Sequence, residues 1–510
     1  MADIYLSAGI FPKEIDQSEY LRTTGTRNAG MVAITERGVE GANGANTPIK
    51  SWDEFKRLVG SKLANSYGYQ SAKAFFDNGG GKLFVARVLK LDTDNNIATG
   101  KRSAVTVKAS VPATEEGGQP TPVDQLEIEA VSIGTWGDQI KVVITPDTRV
   151  YANGFHLQVF VKDRGAEKHT LRETFNHLTT DSFNADYAAS RVHSQYIRIN
   201  DLAEDAHALV GGTFDLTGGH DGLVDGSEGT VTDEDYIQAI KNLADAPIDT
   251  VFVPGITSKP VLQEAINFCV RRGDVFPIFD TPRYYSVEAT VAFRVETALD
   301  SSYGAMYYPW LTVKDTTNNV KSEIPPSGAV AGVFQRGNLW DAPAGVNRAV
   351  IRGIESATRV LTPEERDELY EVGINPIASF LDTGAVIWGQ KTLQLRPTAL
   401  DRINVRRTFS YLQKSMNVMI RPYIFEANIP STWQAIVRKL SPFLQNLKDT
   451  TAITDFKIVC DETINTAEVI DRNTLLVRVY VKPTKVAEFI GVEYVLSSQG
   501  VDFSEISIAA

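Results

Sequence analysis

The sequence predicts a multidomain α/β and α+β protein, in which a central α/β domain carries an inserted β-rich domain and is followed by a C-terminal α+β domain. The chain has 510 residues, more than one hydrophobic core ordinarily serves. Helical segments alternate with short unbroken apolar strands in residues 30–90 and again after 222, which is typical of a sheet covered on both faces. Between these stretches, short strand patterns are separated by loops rich in Gly, Pro, Thr and Asp.

These changes of pattern divide the chain into five predicted segments. Residues 1–22 alternate only weakly between polar and apolar positions, so they predict an extended arm that has no core of its own and needs a partner. The other segments are the central α/β domain over 23–90 and 223–360, the inserted β-rich domain over 91–222, the C-terminal α+β domain over 361–484, and a linker strand with a tail over 485–510.

The first half of the central domain has a strand, helix, helix, strand pattern. Its predicted elements are a strand over 30–36, a helix over 51–60 opened by Ser51, a helix over 66–78 and a strand over 82–89. Gly79, Gly80 and Gly81 end the second helix. With Lys82 they are similar to a phosphate loop, but Leu83 stands where that motif requires Ser or Thr, so we predict no nucleotide site.

The second half alternates helices with buried strands. Its predicted elements are helices over 233–245, 259–273 and 284–299 and strands over 248–255 and 275–280. A loop region rich in Pro and Gly is predicted over 309–348. It leads to a helix with Thr362 as its N-cap and Pro363 as its first residue.

The C-terminal domain has two long helical patterns followed by strands. Its predicted elements are helices over 402–416 and 431–449 and strands over 454–462, 474–483 and 488–498. In the last strand one face is clearly apolar, and it carries Ile490, Val492, Tyr494 and Leu496.

Composition excludes several functional classes. No stretch approaches the roughly 18 apolar residues of a membrane span, and the N-terminus lacks the basic start and apolar core of a signal peptide, so we expect synthesis and folding in the cytoplasm. Cys269 and Cys460 are too few for a disulfide framework and predict two buried thiols. A net charge of −12 argues against nucleic acid as the main partner.

The charge is unevenly spread. Residues 396–450 contain nine basic and three acidic side chains, although the whole chain is acidic. This segment suits an acidic partner, whereas the alternative is a helical pair with solvated Arg and Lys.

Metal and catalytic chemistry have little support in the sequence. His169, Glu173 and His177 would share one face of a helix, but its ends lie about 12 Å apart at 1.5 Å per residue, so they cannot hold one ion together. The chain has no GxSxG, HExxH or CxxC motif. We therefore predict no catalytic, cofactor-binding or metal-binding residues and no enzyme activity.

Ten segments together resemble the contractile tail sheath family of phages and phage-tail-like injection systems. They are FFDNGGGKLFVARVL (75–89), YYPWLTV (307–313), IPPSGAVAGVFQR (324–336), LWDAPAG (339–345), GINPI (373–377), INVRRTFSYLQKSM (403–416), FEANIPSTWQAI (425–436), FLQNL (443–447), CDETIN (460–465) and VRVYVKPTKVAEFI (477–490). Their order and spacing span most of residues 24–497, whereas 91–222 resembles nothing in the family, as expected of an insertion on the outer surface.

The resemblance implies that the N-terminal arm and the C-terminal strand of each subunit add to a sheet of neighbouring subunits, a helically repeated β-augmentation. The C-terminal domain is then completed by exchanged strands. The candidate exchange residues are Ile4, Tyr5, Ile10, Ile15, Tyr20, Ile490, Val492, Tyr494 and Leu496. The alternative is that both termini pair within their own chain.

In the family the C-terminal domain lies innermost, and a helix of it touches an inner tube. The resemblance therefore implies candidate tube contacts at Arg402, Arg406, Arg407, Lys414, Arg438, Lys439 and Lys448. Arg406 and Arg407 could instead be fixed by carboxylates within the fold. Implied partners are further copies of the chain, the tube protein, and baseplate and terminator or cap proteins, with no direct contact to nucleic acid or membrane.

Two other functional classes remain open from sequence. A multidomain hydrolase or transferase without a motif predicts a monomer or small closed oligomer with a deep polar pocket. Another tail lattice component, such as a tube or baseplate protein, would not require this long α/β region.

Overall fold

The computed structural model describes residues 27–38, 41–64, 66–90, 100–111, 121–221, 231–314 and 320–492. The predicted N-terminal arm, with Ile4, Tyr5, Ile10, Ile15 and Tyr20, lies outside the described residues. Tyr494 and Leu496 also lie outside them. Within the described ranges, helices and several separate sheets form a mixed α/β structure.

The first elements contain the predicted strand, helix, helix, strand order, with a short helix and a short strand added after the first strand. They are β1 (Asn28–Ala33), α1 (Gly41–Ala45), β2 (Pro48–Ile49), α2 (Trp52–Val59), α3 (Gly68–Asp77) and β3 (Lys82–Arg87). Ser51 caps α2 by accepting a hydrogen bond from the Glu54 amide. Helix α3 stops before Gly79, whose φ of 94° suits glycine, so the glycines end a helix as predicted.

Residues 100–221 form seven strands and two short helical turns. They are β4 (Ala104–Val111), β5 (Thr121–Ala130), a 3₁₀ turn (Thr135–Gln139), β6 (Ile140–Pro146), β7 (Gly154–Val161), β8 (Thr170–Thr179), α4 (Ala188–Arg191), β9 (Ile197–Asp201) and β10 (Gly212–Asp215). Their sheets have the orders β4-β5-β9 and β10-β6-β7-β8, and one apolar cluster lies between these strands. The helical face considered for His169, Glu173 and His177 is wrong, because residues 170–179 form strand β8.

The next stretch alternates helices and strands. Its elements are α5 (Asp233–Lys241), β11 (Thr250–Phe252), α6 (Lys259–Arg272), β12 (Phe276–Asp280), α7 (Val287–Thr297), β13 (Ala305–Tyr308), β14 (Leu311–Lys314), β15 (Lys321–Ile324), α8 (Ser327–Phe334), β16 (Ser356–Ala357), α9 (Pro363–Glu371), β17 (Ile374–Phe380) and β18 (Gly384–Ile387). Thr362 caps α9 and pairs reciprocally with Glu365, as a capping box does.

An eight-stranded sheet in the order β18-β17-β13-β12-β11-β1-β3-β2 organises these elements. Its six inner strands are parallel, and both edge strands are antiparallel. Alternate residues of β1 face opposite clusters: Met31 packs with residues of α2, α3 and α8, and Val32 with residues of α5, α6 and α9. The sheet is therefore covered on both faces, as the unbroken apolar strands predict.

Helix α8 was not expected, because its region was predicted to be a loop. All eight of its residues are buried, so it lacks the polar face that identifies a surface helix in a sequence. The Asp280 carboxylate at the end of β12 holds the start of α8 by accepting from the Ser327 amide (2.8 Å) and hydroxyl (2.7 Å) and from the Gly255 amide (2.9 Å). Burial raises the pKa of Asp280 to about 6.

The large sheet also corrects the predicted start of the C-terminal domain at residue 361. Strand β17 pairs in parallel with β13 and carries β18 at its other edge. Helix α9 packs on the same sheet, since Leu369 lies in the cluster that covers one face. Residues 361–387 therefore belong with the central sheet.

The C-terminal elements follow a 3₁₀ turn. They are the turn Ala399–Asp401, α10 (Ile403–Ile420), a second turn (Arg421–Tyr423), α11 (Pro430–Asp449), β19 (Ile453–Val459), α12 (Ala467–Asp471) and β20 (Arg478–Pro483). Helices α10 and α11 share an apolar cluster with one face of the β19-β20 sheet. Cys269 and Cys460 are buried free thiols, as predicted.

Candidate assembly surfaces

The C-terminal domain presents a two-stranded antiparallel sheet. Strands β19 and β20 pair with each other, and within the part of the chain that the structure describes neither pairs with a third strand. Phe456 and Val479 lie on the packed face, whereas Tyr480 is largely exposed. Both outer edges therefore present unpaired backbone N–H and C=O groups, to which a further strand can add.

After β20 the chain continues through residues 484–492, which form neither helix nor strand. Residues 488–498 were predicted to be a strand, and the described part of that range, 488–492, is not one in this chain by itself. Phe489, Ile490 and Val492 are 83%, 80% and 63% exposed, respectively. Exposed apolar side chains on a segment that lies outside any sheet suit a strand that is completed by another sheet.

One inward contact interrupts this exposed segment. The Glu488 carboxylate accepts hydrogen bonds from Arg402 Nε (2.6 Å), Gln390 Nε2 (2.8 Å) and Tyr370 Oη (3.0 Å). Burial is the main cause that raises the pKa of Tyr370, and the nearby charge of Glu488 raises it further. The Tyr370 hydroxyl therefore stays protonated and can donate a hydrogen bond. Arg402, predicted as a tube contact, is thus occupied within its own chain, and no sequence pattern pointed to Tyr370 or Gln390.

Two other predicted tube contacts are buried. Arg406 stacks on the ring of Tyr303 at 4.2 Å and reaches Ser410 and Gln413 on its own helix. Arg407 stacks on Phe334 at 4.5 Å and donates to the Phe334 carbonyl at 2.9 Å. Both are fixed inside the fold, by rings, amide, hydroxyl and carbonyl oxygens rather than by the carboxylates we considered. In this conformation neither guanidinium reaches a partner surface.

The remaining basic candidates differ in how far they are exposed to solvent. Lys414 bridges Asp249 (3.4 Å) and Asp274 (3.0 Å), which ties α10 to the central sheet. Lys448 is exposed and pairs with Asp455 at 2.9 Å. Arg438 and Lys439 lie exposed on α11. Among the predicted tube contacts, the three exposed ones therefore all lie on helix α11.

The turn between α10 and α11 carries an apolar tip that the sequence analysis missed. Ile424, Phe425 and Ile429 are 59%, 103% and 49% exposed. The backbone of Phe425 has a φ of 73°. Neither helical nor strand periodicity applies to a turn, so no pattern pointed to this tip.

Asp147, His156 and His177 have ligand atoms within 4.8 Å of one another, at a β-bulge between β7 and β8. His156 Nδ1 accepts from the His177 amide (3.2 Å), so Nε2 carries the proton that it donates to Asp147 (2.8 Å). Arg149 binds the same carboxylate through Nε (2.7 Å) and Nη2 (3.1 Å). A metal ion on Nε2 would displace these bonds, so the arrangement favours an ion-paired hydrogen-bond cluster.

No described helix combines the length and apolar content that crossing a membrane requires. Open sheet edges, an exposed apolar segment and an accessible basic helix together define a multidomain chain whose surfaces suit pairing with other protein chains.

Comparison with known proteins identifies the family to which this chain belongs. The model of the phage tail sheath protein central domain matches residues 229–393, and that of the phage tail sheath C-terminal domain matches residues 396–497. Together they cover just over half of the chain. The chain belongs to the contractile tail sheath protein family.

A similar sequence and two similar structures agree with this assignment. The tail sheath protein of Vibrio phage KVP40 is 36% identical over 212 residues, which is 41% of this chain and 31% of that protein. The sheath tail protein of Listeria innocua has a TM-score of 0.59 at 12% identity, covering 89% of this chain and 94% of that one. The sheath of an extracellular contractile injection system in its contracted state has a TM-score of 0.56 at 16% identity, covering 97% and 99%.

The two structural likenesses concern the fold. The matches span less than half of the length of the curated relatives.

Proposed function

We propose that this chain is the structural, non-catalytic subunit of a contractile tail sheath. It polymerises helically around an inner tube in a metastable extended state and contracts to drive the tube through a target envelope. The observation that carries the proposal is the open-edged β19-β20 sheet, followed directly by an exposed apolar C-terminal segment, in a chain of the sheath family.

Strand exchange is the proposed link between subunits. A two-stranded sheet is marginal in water, and its two free edges can each accept a strand. Residues 1–22 and 485–510 supply these strands to neighbouring copies, with Ile490 and Val492 among the paired residues. A head-to-tail contact of this kind extends without closing, which gives a helical lattice. The competing arrangement, with both arms paired inside their own chain, would leave the chain monomeric.

The domains have separate proposed places in the lattice. The strands of residues 100–221 pair with one another and bury their own apolar cluster, which supports an inserted domain that decorates the outer surface. The large sheet forms the central domain, and residues from about 396 onward form the inner domain. Arg438, Lys439 and Lys448 are the proposed tube contacts, because they are exposed on α11. Exposed charges can position the sheath on the tube and still release it.

Contraction needs no nucleotide in this proposal. A larger contact between subunits in the contracted state drives it: about 400 Å² of additional apolar contact at about 25 cal/mol/Å² gives about 10 kcal/mol per subunit before ordering costs. The exchanged strands keep neighbours connected while the other domains move as rigid bodies. The proposed partners are further copies of the chain, the tube, the baseplate and the terminator or cap protein. Assembly takes place in the bacterial cytoplasm, within a phage tail or a related particle.

Negative-stain electron microscopy of the purified chain tests the proposal. The full chain should form hollow, ribbed cylinders, alone or with a tube protein, whereas the chain without residues 1–20 should stay dispersed. A compact monomer at high concentration, with and without a tube protein, would contradict it.

A further inference from the structure

The C-terminal segment is attached to its own subunit at two points. At residue 484 the Thr484 hydroxyl donates to the Thr451 carbonyl at 2.7 Å, beside the start of β19. At residue 488 the carboxylate accepts three hydrogen bonds. Residues 485–487 between these points and residues 489–492 beyond them are exposed. The only inward side chain in the described range 485–492 is therefore a charged one.

The donors to Glu488 come from three different elements. Tyr370 lies in α9, Gln390 follows β18, and Arg402 precedes α10. None belongs to the β19-β20 sheet, so Glu488 fastens the segment to the junction between the large sheet and the C-terminal helices. Gln390 is 3% exposed, and the Glu488 and Arg402 side chains are 17% and 26% exposed. Charge-assisted hydrogen bonds in such a partly buried place are stronger than exposed ones.

The segment helps to line two clefts. One cleft, of about 300 Å³, is also lined by Tyr370, Trp388 and Gln390, and the other, of about 600 Å³, by Gln390, Arg402 and Val405. Apolar contacts along this path are few, because Val486 and Phe489 are 42% and 83% exposed. The polar contacts of Glu488 therefore determine the path of the segment.

We infer that Glu488, held by Tyr370, Gln390 and Arg402, is an anchor that fixes the point at which the C-terminal arm leaves the subunit toward its neighbour. This inference rests on the proposed strand exchange. An arm anchored at residue 488 reaches about 33 Å by residue 498, at about 3.3 Å per residue. Without the anchor, the arm would be attached to its subunit only at residue 484 and would sample many directions. Its effective concentration at the neighbour's sheet would therefore be lower.

The anchor is tested on the full chain, kept dispersed at a concentration below that at which cylinders form, by the distance between spin labels at Ala487→Cys and Glu368→Cys. Both positions are exposed, and Cys269 and Cys460 are buried. The parent chain should give one narrow distance, and Glu488→Ala a broad distribution. Glu488→Gln keeps the shape and removes the charge, so it should also broaden the distribution. Glu468→Ala, which removes an exposed carboxylate from α12, is the matched control and should change nothing.

Assembly without labels gives the second readout. Glu488→Ala should lower the yield of cylinders about tenfold or more while thermal unfolding of the dispersed chain stays close to the parent. Arg402→Glu should do the same, and the exchange of charges in Arg402→Glu with Glu488→Arg should restore part of the yield.

A narrow distance in Glu488→Ala, or parental yield from it, would overturn the anchor. If the parent chain itself forms no cylinders with a tube protein, the proposed function fails, and the label distances still decide the anchor.

Discussion

At the scale of single residues, two tyrosine hydroxyls differ in whether they have a hydrogen-bond partner, and we expect one to affect stability and the other assembly. Tyr307 is fully buried, and its hydroxyl has no hydrogen-bond partner among the described residues. Burial raises the pKa of Tyr307 and keeps the hydroxyl neutral. Tyr370, in contrast, donates to Glu488 at 3.0 Å. Two similar side chains thus have different roles, because one hydroxyl has a partner and the other does not.

Tyr307→Phe should leave the free energy of unfolding unchanged or raise it by about 1 kcal/mol, because it removes an unsatisfied buried group. Tyr370→Phe should loosen the C-terminal segment by removing one of the three donors to Glu488. Urea unfolding followed by tryptophan fluorescence measures the free energy of unfolding of Tyr307→Phe. A loss of more than about 2 kcal/mol in Tyr307→Phe would show that its hydroxyl is satisfied.

The buried Asp280 gives the chain a pH-dependent stability. Its pKa of about 6 in the folded chain is higher than the roughly 3.9 of an unfolded aspartate, so the folded chain binds this proton more tightly. Its stabilising effect is complete below pH 4 and is lost as the pH rises to about 6, by at most about 1.4 kcal/mol per pH unit. Asp280→Asn should remove this slope. Equal slopes in both chains between pH 4 and 6 would contradict the assignment.

At the scale of elements, helices α10 and α11 divide the basic residues between the core and the surface. Burial lowers the pKa of Arg407 on α10 to about 10, and its guanidinium stays charged near neutrality. Arg438 on α11 is exposed. The local excess of basic residues in the sequence is therefore not one surface patch.

Arg407→Ala should lower the free energy of unfolding by about 2–4 kcal/mol, because it opens a cavity and removes a buried hydrogen bond. Thermal and urea unfolding of the dispersed chain measure this loss. A change below about 0.5 kcal/mol would contradict the packing of α10.

Arg438→Ala should leave the free energy of unfolding within about 0.5 kcal/mol of the parent. It should weaken co-assembly with the tube severalfold and reduce the salt dependence of that step, because an exposed charge acts mainly through screened attraction. Arg472→Ala, next to α12, is a matched exposed control. Equal co-assembly by both variants would remove α11 from the tube contact.

Sequence patterns predicted those elements whose signals are local. Thr362 and Ser51 identified helix starts because a cap is a contact within four residues. Helix α8 was missed because burial on all sides removes helical periodicity. The partners of Arg407 and Glu488 were missed because Phe334 and Tyr370 are 73 and 118 residues away in the chain. Contacts of that separation leave no trace in local spacing.

At the scale of the whole molecule, the chain combines a large sheet whose faces are covered with a small sheet whose edges are open in the described residues. The large sheet is covered on both faces, and the strands of residues 100–221 bury a cluster of their own. The β19-β20 sheet keeps two open edges in the described residues.

A polymer linked at such edges should need the arms but not the inserted domain's histidines. Accordingly, His156→Ala with His177→Ala should still form cylinders in electron micrographs, and their loss in that variant would give the inserted domain a role in assembly.

A helical reconstruction of the assembled chain by cryo-electron microscopy would show directly whether strands are exchanged between subunits. We expect the β19-β20 sheet to gain strands from the N-terminal and C-terminal arms of neighbouring subunits, with each C-terminal arm leaving its own subunit at Glu488. A lattice in which this sheet stays two-stranded, or in which both arms pair within their own chain, would contradict it.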